Sequence, residues 1–189
     1  MKTLSPFKYG AFRISSGYGN RPSLGDYHNG IDLIGLDGDR EVVAVKGGKV
    51  VMSRMVTSHA NRTWEWGNYV AVAQEDGVTA YYCHLDSRIA KQGQTIEAGD
   101  PIGIQGNTGY SLGEHLHFEV RRNNVAFDPS EYLGIPNVPG EIVEVPIMPE
   151  PSYEELVVSK CGLEKITRDY INKYKYAQDL WRKLYEQMV

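Results

Sequence analysis

The chain has 189 residues, of which 41% are hydrophobic and 23% are charged, the composition of a globular protein with one main core. Its formal net charge of −4 argues against a nucleic-acid-binding surface. No apolar run approaches the roughly 20 residues that a membrane-spanning helix needs, and the first residues lack the apolar stretch of a signal peptide. Composition and charge therefore disfavour nucleic-acid binding and membrane insertion.

Residues 1–135 have the pattern of a mostly β domain. Glycine-containing turn signals separate short segments that are rich in β-branched and aromatic residues. Two of these signals predict hairpins: Gly47-Gly48 within residues 41–52, and Glu75-Asp76-Gly77 within residues 69–83. No sustained helical period occurs before residue 135, so the fold class is predicted to be mainly β.

The sequence changes character after residue 135. Residues 136–151 hold five of the nine prolines, which predicts an extended linker or arm. Residues 152–189 are predicted to be helical, with an amphipathic helix that begins near Leu163. Its apolar stripe could face a core within this chain or dock on a separate protein partner, and the sequence leaves both alternatives open.

His115 and His117 form an H-x-H motif in a segment that alternates like a strand. Side chains two residues apart on a strand share a face, so both imidazoles are expected on one side. Glu119 shares that side and is placed to orient a metal ligand. The opposite side is apolar and is expected to be buried: Leu116, Phe118 and Val120.

Three further residues carry ligand chemistry. His28 and Asp32 form an H-x-x-x-D motif around Gly30, which allows a tight bend. His84 lies in a strand-like segment, where alternation predicts that Tyr82 shares its face and that Cys83 points the opposite way as a small buried hydrophobe.

Imidazoles and a carboxylate are ligands of catalytic zinc, which takes three protein ligands and leaves a fourth position for water. The residue types suggest His28, Asp32 and one member of the H-x-H pair as ligands of Zn²⁺. His84 and the other member of the pair would remain free to move protons. The residues alone do not decide which member of the pair binds the metal.

Residues 10–135 resemble the lysostaphin-type zinc endopeptidases, which cut the peptides of bacterial peptidoglycan. The resemblance rests on the order, spacing and flanks of several motifs: His28-x-x-x-Asp32, Tyr82-x-His84-Leu85, Gly109 to Glu119, Ile14 to Arg21, and Phe127 to Leu133. It implies antiparallel sheets that form a groove, the duplicated hybrid motif. It also implies action on the cell wall, in an extracellular or periplasmic location, with phage delivery as an open alternative.

Carried over by position, the resemblance implies that His28, Asp32 and His117 bind zinc and that His84 and His115 are the catalytic pair. No H-E-x-x-H motif is present, so a glutamate base is not indicated. Which of the two histidines is the base stays open.

The chain departs from the family pattern in a long loop, Ser53–Gly67, and in its C-terminal helical segment. The loop carries His59, expected to be solvated, and two tryptophans, Trp64 and Trp66, which either form platforms for peptide or sugar or pack the loop on itself. One alternative function is a non-catalytic module of the same fold that binds peptidoglycan or activates another hydrolase. A phage or conjugation assembly that holds the C-terminal helix is compatible with either function.

Overall fold

The computed structural model of the chain describes residues 5–58, 65–144, 157–158, 171–172 and 177–187. The chain divides into two compact units, Met1–Ile147 and Met148–Val189. The sequence predicted that the β domain ends at residue 135. The first unit extends further, to Ile147, and so includes most of the proline-rich segment. In the described residues, no helix is both long and apolar enough to span a membrane.

The first unit is built mainly from β-strands, as predicted. Its described elements are β1 Ala11–Ser16, β2 Gly19–Arg21, β3 Asp26–His28, β4 Ile31–Gly35, β5 Glu41–Val43, β6 Gly48–Val56, β7 Gly67–Ala73, β8 Val78–Leu85, β9 Ser87–Arg88, β10 Thr95–Ile96, β11 Pro101–Ile104, β12 Leu116–Arg122, β13 Val125–Phe127, the short helix α1 Pro129–Leu133, and β14 Ile142–Glu144.

One large antiparallel sheet dominates this unit, with the order β10-β6-β7-β8-β12-β4-β1-β14 and β13 beside β12. Two smaller sheets have the orders β5-β11-β9 and β2-β3. Strands β8, β12 and β4 lie side by side in the large sheet, and they carry His84, His117 and Asp32. The sheet order therefore brings together candidate residues that are far apart in sequence.

One face of the large sheet contributes to the main hydrophobic core. Leu116, Phe118 and Val120 of β12 are fully buried there, which confirms the face predicted for them. Neighbouring strands add further core side chains: Phe12, Ile14, Ile31, Leu33 and Tyr82. Burial of this face fixes the register of β12, because a shift by one residue would turn its apolar side chains to the opposite face.

One of the two predicted hairpins is confirmed and the other is wrong. Strands β7 and β8 pair around Gly77, whose φ of 77° suits the turn. Strands β5 and β6 do not pair, because β5 joins β11 while β6 pairs with β7 and β10. Gly48 begins β6 against β7, where a β-carbon would overlap the carbonyl oxygen of Ala73. Glycine there serves a close approach of strands and not a hairpin turn.

The proline-rich segment contributes a strand to the sheet. Arg13 of β1 lies opposite Ile142 of β14, and the Gly140 amide donates a hydrogen bond of 2.7 Å to the Ile14 carbonyl. Residues 145–151 lie outside the described residues. The segment is therefore fastened to β1 over its described part.

The second unit contains the helix α2, Ala177–Glu186, in the region where a C-terminal helix was predicted. Trp181 is fully buried, and its indole Nε1–H donates a hydrogen bond of 2.8 Å to Oδ1 of Asn172. Most of the predicted helix between Leu163 and Ala177 lies outside the described residues.

Candidate metal centre and active site

His28, Asp32 and His117 meet at the end of β3 and on the neighbouring strands β4 and β12. His117 lies directly opposite Asp32 in the β4–β12 pairing, so the two side chains share a face. Asp32 Oδ1 lies 3.1 Å from Nε2 of His28 and 2.9 Å from Nδ1 of His117. The two histidine nitrogens are 3.0 Å apart. Three potential ligand atoms therefore form a nearly equilateral triangle.

This triangle has the dimensions of a metal site. A tetrahedral zinc with bonds of about 2.0–2.1 Å holds its nitrogen and oxygen ligands about 3.3 Å apart. Within the described residues, no other group of three or more His, Cys, Asp or Glu side chains brings its ligand atoms this close. The donor set of two imidazoles and one carboxylate also suits zinc.

Both histidines of the triangle are held through their second ring nitrogen. Nδ1 of His28 lies 2.7 Å from the Gly17 carbonyl, which can only accept, so this nitrogen carries the proton and Nε2 presents its lone pair. Nε2 of His117 lies 3.4 Å from Oε2 of Glu119, and the carboxylate there accepts in the same way. Such partners orient metal-binding imidazoles, and the position predicted for Glu119 is confirmed.

Sequence reasoning missed Arg121, which completes this side of the site. Its Nε donates to Oε1 of Glu119, and both side chains are buried. Its guanidinium carbon lies 5.3 Å from the ring centroids of Trp66 and of Tyr81. Arg121 follows His117 and Glu119 at steps of two along β12, so the strand period could have found it.

His84 and His115 lie beside the triangle. Nδ1 of His84 donates to the Thr108 carbonyl at 2.8 Å, and Nδ1 of His115 donates to the Gly113 carbonyl at 2.8 Å. In the neutral rings, the lone pair is therefore on Nε2. The ring centroids of His84 and His115 are 4.9 Å apart, and that of His84 lies 5.7 Å from that of His117. All five candidate residues are thus gathered in one place.

The predicted alternation around His84 is wrong. Tyr82 belongs to the main core, whereas Cys83 lies opposite His117 and packs with Trp66 on the other side of the sheet. His84 has a left-handed φ of 61°, at a register shift between β7 and β8, and this turns its ring to the same side as Cys83. The prediction that Cys83 is a buried hydrophobe is confirmed.

Asp32 and His117 stabilise each other's charges. Burial alone would raise the pKa of Asp32, but the hydrogen bond from His117 and the electrostatic effect of the two neighbouring imidazoles hold it well below its ordinary value. Burial would lower the pKa of His117, but its hydrogen bonds to Asp32 and Glu119 raise it to about 9. Without a metal, His117 is therefore a charged imidazolium at neutral pH, with a proton on each ring nitrogen.

His84 and His115 have the opposite electrostatic character. Burial lowers the pKa of His84 to about 3, and the nearby His117 and His115 add to this effect. Burial also lowers the pKa of His115, against the opposing effect of Asp32. Both rings are therefore neutral at pH 7 in the metal-free protein and can accept a proton.

Comparison with known proteins identifies the family. The model of peptidase family M23 matches residues 26–129, which include all five candidate residues. The chain belongs to peptidase family M23. Lysostaphin from Staphylococcus simulans is 32% identical over 129 residues, 65% of this M23 chain and 25% of lysostaphin. A solved lysostaphin structure aligns with a TM-score of 0.54 at 32% identity, over 65% of this chain and 49% of that one. The predicted resemblance is confirmed.

The chain is also similar to a peptidase and to an activator of hydrolases. A zinc-containing peptidase from Vibrio cholerae has 30% identity and a TM-score of 0.57, over 68% of this chain and 39% of that one. The murein hydrolase activator NlpD from Salmonella dublin is 31% identical over 106 residues, 56% of this chain and 26% of NlpD. The M23 chain thus spans about a quarter of the length of lysostaphin and of NlpD.

The candidate site of this M23 domain lies in a groove of about 290 Å³. Its lining includes the β2–β3 hairpin, with Leu24 and Tyr27, and the loop before β12, with Tyr110 and Leu112. All four side chains are more than half exposed. The groove predicted from the resemblance is therefore present, and exposed apolar and aromatic groups border it.

Trp66 also lines the groove, although it is only 5% exposed. Its ring contacts Tyr69 and Tyr81 with centroid distances of 5.1 and 5.2 Å. Trp66 therefore packs on side chains of β7 and β8 and not on its own loop, so the role of packing the loop on itself is not what the structure shows for it. Trp64 and His59 lie outside the described residues.

Proposed function

We propose that this M23 chain is a zinc-dependent endopeptidase that hydrolyses peptide bonds in bacterial peptidoglycan and acts on the cell wall, outside the cytoplasm. The observation that carries the proposal is the conjunction of two groups. Three ligand atoms lie about 3 Å from one another, and Nε2 of His115 lies 3.5 Å from the Asp32 Oδ1 that belongs to that triangle. Metal ligands and proton carriers are thus available at one point of a groove.

His28, Asp32 and His117 are the residues that hold Zn²⁺ in this proposal. Bound zinc polarises the scissile carbonyl and lowers the pKa of water toward about 7. The Gly17 carbonyl and Glu119 fix the rings of the two histidine ligands, so little side-chain freedom remains to be lost when the ion binds. Asp32 is ionised at neutral pH, as a ligand must be.

His84 and His115 are the catalytic pair. Each neutral ring has its Nδ1 proton committed to a backbone carbonyl, and its Nε2 can take a proton from the attacking water. The protonated ring can then donate to the developing oxyanion or to the leaving amine. The two rings lie side by side, so one can act on the water while the other acts on the substrate.

The groove suits an extended peptide. The β2–β3 hairpin and the loop before β12 both line it, and their exposed side chains offer apolar and aromatic surface near the metal site. The kinship with lysostaphin, an antimicrobial peptidase, and with NlpD, a murein hydrolase activator, directs the proposal toward the peptides of the bacterial wall.

The proposal is tested by incubating the zinc-loaded protein with purified peptidoglycan and identifying newly freed amines by mass spectrometry. New amino termini are expected with the wild-type protein, and His115→Ala should release them about 10²- to 10⁴-fold more slowly. Chelator treatment should abolish the release, and added zinc should restore it. If zinc-loaded wild-type protein frees no amine from walls of several chemotypes, the peptidase function is wrong.

A second candidate function is activation of another wall hydrolase, which the similarity to NlpD favours. The same preparations separate the two functions when a peptidoglycan hydrolase is added to them. An activator would stimulate that hydrolase equally well as wild type and as His115→Ala, and neither form alone would free amines. A peptidase would lose its effect on the wall with His115→Ala.

A further inference from the structure

Asn137 lies beyond the family match, which ends at residue 129. Its side chain nevertheless contacts Tyr18, the residue after the Gly17 that bonds His28. Its Oδ1 accepts a hydrogen bond of 2.9 Å from the Tyr18 amide, and its Nδ2 donates one of 3.0 Å to the Tyr18 carbonyl. One side-chain amide thus holds both polar groups of a backbone residue that is 119 positions away in sequence.

The residue before Tyr18 connects this contact to the candidate zinc ligand. The Gly17 carbonyl accepts the Nδ1 proton of His28 at 2.7 Å. A β-carbon on Gly17 would lie 2.5 Å from Oδ1 of Asn137, so the absence of a side chain at Gly17 makes room for the amide. Asn137, Gly17 and His28 therefore form a continuous series of contacts.

The segment that carries Asn137 is itself fixed to the sheet. The Ile14 amide donates to the Glu141 carbonyl at 2.9 Å, and the Gly140 amide donates to the Ile14 carbonyl at 2.7 Å. Ser16, at the end of the same strand β1, lies opposite Asp32 in the β1–β4 pairing. The anchored strand β1 therefore leads directly to Gly17, which contacts His28, and pairs with the strand that carries Asp32.

We propose that Asn137 is a positioning residue for His28. By holding Tyr18 at both its amide and its carbonyl, Asn137 keeps the Gly17 carbonyl in place to accept the Nδ1 proton, and Nε2 of His28 stays directed at Asp32 and His117. The proposal rests on the proposed function, because it requires His28 to be a zinc ligand. In this proposal, the segment after residue 135 contributes to metal binding through Asn137.

The physical reason is the orientation of the imidazole. A histidine ligand whose second nitrogen has lost its acceptor can rotate and can change tautomer, and both freedoms are lost again when the metal binds. Without Asn137, the Tyr18 amide and carbonyl lose these two hydrogen bonds, and the Gly17–Tyr18 peptide is held through the flanking strands β1 and β2 and the contact of the Tyr18 ring with Tyr27. The position of the Gly17 carbonyl then varies, and so does the direction of the His28 lone pair.

The test compares the zinc dissociation constants of four variants, measured by competition with a chelator. Asn137→Ala removes the amide, and Gly17→Ala displaces it by placing a methyl group at Oδ1. Each is expected to weaken zinc binding about tenfold, the lower end of the effect of losing an orienting partner. The double variant should be no weaker than either single variant, because both break the same contact. Val138→Ala, at the exposed neighbouring residue, is the matched control and should bind like wild type.

A second readout separates positioning from a general loss of stability. In the metal-free protein, ¹⁵N chemical shifts of His28 should report one tautomer in wild type and in Val138→Ala, and a mixture in Asn137→Ala and Gly17→Ala. Excess zinc should restore the peptidase activity of both variants, because the catalytic pair is untouched.

The outcomes of this test are distinct. If wild type binds zinc and all variants bind it equally well, Asn137 does not position His28, and the proposed function stands. If affinity falls while the His28 tautomer is unchanged, the effect is one of stability and the proposal is wrong. If wild type binds no zinc, the proposed function fails, and the positioning role fails with it.

Discussion

Nε2 of His115 lies 3.5 Å from Oδ1 of Asp32, the same oxygen that contacts His28 and His117. Nδ1 of His115 is bonded to the Gly113 carbonyl, so Nε2 is the nitrogen available at the site. His115 therefore borders the ligand triangle while its partner in the H-x-H motif belongs to it. This difference between two histidines separated by a single residue can be tested directly.

We expect His117→Ala to lose both metal and activity, because it removes one of three ligands. His115→Ala should keep its zinc and lose about 10²- to 10⁴-fold in kcat, the usual contribution of a general acid or base. Zinc content after dialysis, measured by elemental analysis, together with turnover on purified walls, checks both statements. An equal loss of metal in the two variants would contradict this division of roles.

The buried pair of Glu119 and Arg121 should affect zinc binding through His117. Glu119→Gln removes the charge that holds the His117 Nε2 proton, and zinc affinity is expected to fall about 10- to 100-fold. It also leaves Arg121 buried without its carboxylate, which should cost about 3–5 kcal/mol in the free energy of unfolding.

A second variant separates these two effects. Glu119→Gln combined with Arg121→Met also removes the buried charge that has lost this carboxylate, so denaturant unfolding should show that much of the stability returns. Chelator competition should show that the zinc affinity does not return with it. Recovery of both quantities together would mean that Glu119 acts on stability alone.

The candidate ligands were accessible from the sequence because their motifs are local. The H-x-H spacing on a strand places His115 and His117 on one side, and the flanking residues reveal the buried face. The resemblance then supplied the order of the other motifs. The geometry that brings His117 opposite Asp32 comes from the pairing of β4 and β12, which no single segment encodes.

Three features could not be predicted from the sequence, each for a different physical reason. The left-handed backbone at His84 is imposed by the register shift between β7 and β8, and the residue type there does not signal it. The Gly47-Gly48 pair looks like a turn, but the sheet uses Gly48 for close packing of strands. The contact between Asn137 and Tyr18 joins residues 119 positions apart, beyond any local pattern.

Zinc affinity should depend on pH through His117. Its pKa of about 9 in the metal-free protein means that zinc must displace a proton at neutral pH. The apparent association constant should therefore rise about tenfold per pH unit between pH 7 and 9 and level off above that. Glu119→Gln lowers the pKa of His117, so its profile should level off at a lower pH. A wild-type profile that is flat from pH 7 to 9 would contradict the protonated state of His117.

Without zinc, the histidines should give the protein a stability maximum near pH 6.5, the ordinary histidine pKa. His117 has a raised pKa, so its contribution is complete below about pH 6.5 and is lost as the pH rises through about 9. His84 has a pKa lowered to about 3, so its contribution is complete above about pH 6.5 and is lost as the pH falls toward 3. Thermal unfolding of chelator-treated protein across this range measures both limbs. His84→Gln should make the acid limb shallower and leave the alkaline limb in place, since the lowered pKa values of His115 and Asp32 still contribute to the acid limb. An unchanged acid limb would show that the buried neutral ring of His84 contributes nothing to it.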